Sequence, residues 1–217
     1  MTDYVRARTN MVENQLRPNR VTDERLLAAM AEVPREAFVP EVLRGTACVD
    51  EDLPLGGGRY LMEPVVFARL VQAARITAAD VVLDVGCATG YSAAVLARLA
   101  ATVVALEEDA GLRARAEANL AELEVTDATV VAGPLRDGFA DQAPYDVIVI
   151  EGAVEAVPEA LSDQLGEGGR LVAVVGEGAV GRAALFLRVD GVLSRRDLFD
   201  AAVPRLPGFE VAPGFVF

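Results

Sequence analysis

Residues 81–107 constrain the fold more than any other stretch. Val81, Val82, Leu83 and Val85 form a short, mostly β-branched run, which predicts a strand buried on both faces of a parallel sheet. Gly86 and Gly90 bracket a tight turn, and the breaker-free, Ala- and Leu-rich residues 91–100 predict a helix leaving it. A second strand over 102–106 ends at Glu107. This is a βαβ unit with glycines at its first strand-to-helix junction and a carboxylate at the tip of the next strand. Glycines let backbone approach a ligand closely, and a helix start offers free N–H groups. Glu107 is placed to accept hydrogen bonds from a pair of ribose hydroxyls, so the unit implies a cofactor that carries a nucleoside.

Spacing narrows the choice of cofactor. A dinucleotide fingerprint needs three glycines as G-x-G-x-x-G, whereas Asp84, Gly86 and Gly90 stand here as D-x-G-x-x-x-G, with Ala88 where a second glycine would be. That form, closed by an acidic residue after the second strand, resembles the first motif of class I S-adenosyl-L-methionine (AdoMet)-dependent methyltransferases. A βα turn whose glycines serve packing alone is the plain alternative.

Composition removes whole reaction classes. The chain has no His, Lys or Trp, which excludes Schiff-base chemistry, a Walker phosphate loop, an imidazole base and a Ser-His-Asp triad. Cys48 and Cys87 form no ligand cluster, so no metal site is expected, and Cys87 reads as a small residue fitting the turn. A net charge of −13 opposes binding to nucleic acid or anionic lipid. No stretch approaches the ~18 uninterrupted apolar residues of a membrane span, and the first residues lack an apolar leader, so a cytoplasmic location is expected.

In chain order, helices are expected over 3–17 and 24–33, the second ended by Pro34. An irregular stretch then leads through the flexible Gly56, Gly57 and Gly58 to a helix opened by Pro64 and running to 75. After Glu107 the pattern predicts a helix over 112–123, a strand over 128–132, a strand over 145–150 presenting Glu151 and Gly152 at its end, a helix over 158–165 and a strand over 170–175. Asp190 and Gly191 between two apolar runs signal a hairpin, so the sheet should end in antiparallel strands. The expected fold is α/β: a Rossmann-like, mostly parallel sheet with helices on both faces and a terminal hairpin. Residues 77–217 would form its core, with residues 1–76 as a helical and substrate-loop region packed on it.

Over nearly its whole length the chain resembles the protein-L-isoaspartate O-methyltransferase family. The resemblance is carried by residues 11–16 (MVENQL), 33–40 (VPREAFVP), 52–56 (DLPLG), 82–91 (VLDVGCATGY), 143–148 (APYDVI), 157–161 (VPEAL) and 167–172 (EGGRLV). It implies an AdoMet-dependent enzyme that methylates the α-carboxylate of isoaspartyl residues in damaged protein or peptide. The cofactor would lie among Asp84, Gly86, Cys87, Ala88, Gly90, Tyr91, Glu107, Glu108, Gly133 and Leu135. Residues 54–64 would form the substrate wall, with Arg59, Tyr60, Met62 and Glu63 in it and Glu151 nearby.

The substrate wall departs from the family. Where its loop usually has histidine, threonine, an active-site serine and glutamine, this chain has Gly57, Tyr60, Met62 and Glu63. Gly133 and Pro134 replace a Gly-Asp pair whose Asp is expected near the adenine amine, and Glu151 replaces a small neutral residue. No catalytic residue is therefore assigned. Met62 offers packing; Arg59 reads either as a ligand for the acceptor carboxylate or as a solvated loop cation; Glu63 and Glu151 read as helix caps or as groups that would repel a carboxylate. Weak isoaspartyl activity, another acceptor, and a non-catalytic binding role all follow from these changes, while an NAD-dependent oxidoreductase rests on the glycine turn alone. The oligomeric state is left open.

Overall fold

The computed structural model describes residues 3–209. Seven strands form one sheet: β3 (Val81–Val85), β4 (Thr102–Glu107), β5 (Ala128–Ala132), β6 (Tyr145–Val154), β7 (Leu165–Val175), β8 (Gly181–Val189) and β9 (Val192–Ala201). They lie in the order β5-β4-β3-β6-β7-β8-β9, parallel from β5 to β7 and antiparallel from β7 to β9. The chain first winds outward through β3, β4 and β5, then crosses back to β6. At such a reversal the carboxyl ends of the strands part and leave a crevice. The ends of β3 and β4 carry Gly86 and Glu107 to that edge, and β6 brings Glu151 beside them.

Alternation along the strands separates two apolar layers. Val82, Val103, Ala105, Val147, Val149, Val172 and Val174 face one layer, and Leu83, Val104, Leu106, Ile148, Ile150 and Leu171 face the other. The first layer is covered by α3 (Pro64–Ala74), α4 (Tyr91–Leu96), α5 (Ala110–Glu122) and the amino-terminal helices α1 (Tyr4–Met11) and α2 (Glu24–Glu32). The second is covered by α6 (Glu159–Asp163) and by residues 203–209, through Leu161, Leu206 and Phe209.

Several boundaries differ from the sequence expectation. The first helix continues from α1 into a π-turn, Val12–Leu16. The expected helix over 158–165 is only one turn long, and β7 begins at Leu165, taking in Gly168 and Gly169. Strand β6 runs past Ile150 to Val154, with a register irregularity between Val149 and Ala153, so Glu151 lies inside a strand and caps no helix. The irregular stretch before α3 contains a separate two-stranded sheet, β1 (Leu53–Gly56) and β2 (Arg59–Leu61), joined through Gly57 and Gly58. Three- and four-residue strands are too short for a periodic pattern to register. The apolar tail after residue 212 lies outside the described residues. Among those described, no helix is long and apolar enough to cross a membrane, and no group of acidic, Cys or His side chains is arranged for a metal.

Candidate active site

At the β3–α4 turn, the N–H groups of Gly86 and Cys87 donate to the Leu106 carbonyl (2.9 and 3.2 Å), binding the turn to the end of β4. Gly86 has φ +83°, a conformation that costs other residues strain. Asp84 leaves β3 on the α4 side, where Ser92 Oγ donates to its Oδ2 at 2.7 Å. Glu107, at the tip of β4, is fully buried. Its Oε2 accepts from the Ala88 N–H at 2.9 Å, and its Oε1 from the Asp109 N–H at 3.0 Å.

A third donor to Glu107 was not expected. Arg59 Nη1 donates to Glu107 Oε1 at 2.7 Å, and Arg59 Nη2 to the Gly86 carbonyl at 2.8 Å. Arg59 is only 5% exposed and paired with Glu107, so it is not the solvated loop cation that the sequence offered as one reading. Its Nη1 hydrogen bond and its opposite charge satisfy a buried carboxylate that water cannot reach.

Residues 203–209 close the same edge. The Ala153 N–H donates to the Pro204 carbonyl (3.0 Å) and the Leu206 N–H to the Ala153 carbonyl (2.9 Å), which sets Leu206 between two glycines. A Cβ on Gly86 would meet Arg59 Nη2 at 2.9 Å and Leu206 Cδ1 at 3.2 Å, and one on Gly152 would meet Leu206 Cβ at 3.0 Å. The space left among Arg59, Met62, Glu151, Gly152 and Leu206 is about 10 Å³, room for about one water molecule.

Glu151, which lines this space, and the nearby Asp84 and Glu63 are driven toward the neutral form. Burial, followed by the Asp84 charge, holds Glu151 well above the ordinary carboxyl range, and Glu151 Oε1 has no partner. Burial pushes Asp84 up to about 7, against the Ser92 hydrogen bond. Burial and then the charges of Asp52 and Asp50 bring Glu63 up to about 7. Glu63 is the N-cap residue of α3 but makes no capping side-chain bond, and its raised carboxyl is no permanently charged repeller. Burial also raises the Cys87 thiol well above its usual value, leaving no reactive thiolate.

These raised values have a consequence for stability. Between pH about 4, where an unfolded Asp or Glu ionises, and about 7, the native protein holds protons that the unfolded chain releases, so unfolding free energy falls as pH rises through that window. Asp84→Asn is expected to flatten this slope in urea melts at pH 5 and pH 8. An unchanged slope would place the proton elsewhere.

The other expected site residues are distributed as follows. Tyr91 is buried with its ring against Phe38 and Phe67, centroids 5.6 and 5.8 Å away. Glu108 is exposed beside Glu107. Gly133 packs close to Leu106, and Leu135 is buried in the second apolar layer. Tyr60 is 39% exposed and Met62 buried at 4%. Sequence reasoning missed Arg35 and Leu206. Arg35, fully buried, donates to the carbonyls of Ala47 (2.7 Å) and Met62 (2.6 Å), and its guanidinium lies 4.7 Å from the Tyr91 ring centroid. The charged pair Arg35-Glu36 inside the otherwise apolar stretch 33–40 was the available signal.

A family model, protein-L-isoaspartate(D-aspartate) O-methyltransferase, matches residues 6–200. The chain belongs to this family. A protein-L-isoaspartate O-methyltransferase of Koribacter versatilis is 41% identical over 208 residues, 96% of this chain and 94% of that protein. One from Methanoculleus marisnigri is 45% identical over 171 residues, 79% of this chain and 78% of that protein. A solved protein-L-isoaspartate O-methyltransferase superposes with a TM-score of 0.80 at 26% identity, over 93% of this chain and 66% of that longer one. A Plasmodium falciparum structure, described as a putative family member in complex with S-adenosyl-L-homocysteine, shares the fold at a TM-score of 0.77 and 18% identity, over 95% of this chain and 99% of that one.

For a family member, the polar groups at this edge suit an adenosyl cofactor: a buried carboxylate at the tip of β4 and an accepting Gly86 carbonyl. Arg59 holds both acceptors, and Leu206 fills the adjoining space. The residues fit the cofactor once those two side chains withdraw.

Proposed function

We propose that the protein is an AdoMet-dependent methyltransferase that esterifies a carboxylate on damaged protein or peptide, with the isoaspartyl α-carboxylate as the class of acceptor. The convergence of the Gly86 turn and the Glu107 carboxylate at one sheet edge, in a chain of this family, carries the reading. Glu107 would receive the ribose hydroxyls, the Gly86 carbonyl a donor on the amino-acid end, and Leu106 and Leu135 an apolar face of the base. Bound there, the cofactor would supply a methyl group on a sulfonium centre.

The chain's own groups suit such a reaction. An acceptor carboxylate, with a pKa of about 4, is ionised at neutral pH, so the absence of His and Lys is no obstacle. The protein must hold the nucleophilic oxygen in line and exclude water, since misplacement by about 1 Å costs ~100-fold in rate. Met62 and Gly152 provide the apolar wall. Neutral Glu151 can donate a hydrogen bond where an ionised one would repel the acceptor.

The test is methyl-ester formation on an isoaspartyl peptide against the aspartyl control peptide. Turnover selective for the isoaspartyl form, lost in Glu107→Ala, is the expected outcome, and the changed loop predicts a low rate. The filling of the cleft by Arg59 and Leu206 favours a second reading, a family member that binds protein without cofactor. Heat stabilisation by S-adenosyl-L-homocysteine separates the two: at ~100 times the dissociation constant a true ligand adds about 2.7 kcal/mol, and no shift at millimolar ligand supports the second.

A further inference from the structure

We propose that Arg59 is the positioning residue for the acceptor's carboxylate, parked on Glu107 in the free protein and released to the acceptor when the cofactor's ribose takes Glu107. The inference rests on the methyltransferase reading and adds an order of binding, cofactor before acceptor.

The geometry points to exchange. Arg59 satisfies the two acceptors, Glu107 Oε1 and the Gly86 carbonyl, that the proposed cofactor needs, so guanidinium and cofactor compete for the same atoms. The competition is local, because the other donors to Glu107 are the backbone N–H groups of Ala88 and Asp109, which do not depend on the Arg59 side chain. Arg59 opens β2, a three-residue strand that pairs with β1 alone and lies outside the seven-stranded sheet. Before it come Gly56, Gly57 and Gly58, all at positive φ, and a Cβ on Gly56 or Gly57 would meet nothing within 4 Å. A glycine turn with open space around it can change its dihedrals without breaking packing.

A displaced Arg59 needs a new anion. A buried guanidinium stripped of its carboxylate is strongly destabilising, and the groups bordering the cavity offer poor replacements. Glu151 is held neutral by its burial, and Asp52 already accepts from the Glu63 N–H at 2.9 Å. The acceptor's ionised carboxylate is the anion the reaction brings, and a guanidinium binds it through two parallel hydrogen bonds. Arg59 lines the same small cavity as Tyr60 and Met62 on the substrate loop, so a rotation of the β1–β2 turn moves its head from the cofactor side toward the acceptor side.

The experiment uses the full chain and two ligands. S-adenosyl-L-homocysteine is titrated calorimetrically into wild type and Arg59→Gln, and an isoaspartyl peptide is turned over by both. If the parked state holds ~90% of the free protein, removing it tightens homocysteine-adduct binding roughly tenfold. In Arg59→Gln the peptide KM should rise, with kcat changed less, because the acceptor loses its ligand. A residue that merely supported the fold would weaken both ligands together. In wild type, amide exchange over residues 53–63 should quicken when the adduct binds, a readout independent of whether the variant folds. Equal or weaker adduct binding by the variant, an unchanged peptide KM, or slower exchange in 53–63 each overturns the proposal while the methyltransferase reading stands. Absence of adduct binding in both proteins overturns the two together.

Discussion

Glu107→Ala is expected to lower the unfolding free energy by about 3–5 kcal/mol, the range for breaking a buried ion pair from one side. The loss has three parts. Arg59, 5% exposed, keeps its charge without a counter-ion, and the N–H groups of Ala88 and Asp109 lose their acceptor. Urea melts of the single variant and of Glu107→Ala combined with Arg59→Leu measure the coupling. The double variant should recover a large share of the stability, since removing both charges is far less costly than removing one. Adenosyl-ligand binding should stay lost in both. A single-variant cost below about 1 kcal/mol, the range of exposed ion pairs, would show that the pair is open to water.

Arg35→Leu carries the second large effect, about 2–4 kcal/mol, because the Ala47 and Met62 carbonyls would be left buried without donors. Arg35 bonds to no carboxylate among the described residues; its ligands are carbonyls and the face of Tyr91, the first residue of α4. It thereby ties the end of the substrate wall, at Met62, to the helix that leaves the glycine turn. Arg35→Lys should recover little, since one ammonium cannot replace a planar fork reaching two carbonyls. Thermal melts of Arg35→Leu and Arg35→Lys, with peptide KM beside them, check both statements. Full recovery by lysine would show that charge alone matters there.

Much of the fold was legible because its signals are local. The run over 81–85, the turn between Gly86 and Gly90, the strand ending at Glu107 and the Asp190-Gly191 hairpin each depend on residues a few positions apart. Boundaries failed where a tertiary partner decided them. Strand β6 continues past Glu151 because β7 pairs with Ala153 and Val154 beyond the irregularity, and the one-turn α6 gives way early because Leu165 is already paired with Tyr145.

The sequence by itself determined the class of sheet, the identity of the cofactor-type turn and the absence of any strong base, since backbone preference, side-chain periodicity and chemical inventory do not depend on the remote chain. Only the tertiary structure decided what occupies that edge. Arg59 and Glu107 are 48 positions apart, and Leu206 reaches Gly86 and Gly152 from the far end of the described chain. Neither contact leaves a mark in local spacing. The neutral state of Glu151 and the raised value of Asp84 have the same origin: burial sets them, and burial belongs to the packed molecule and not to the residue.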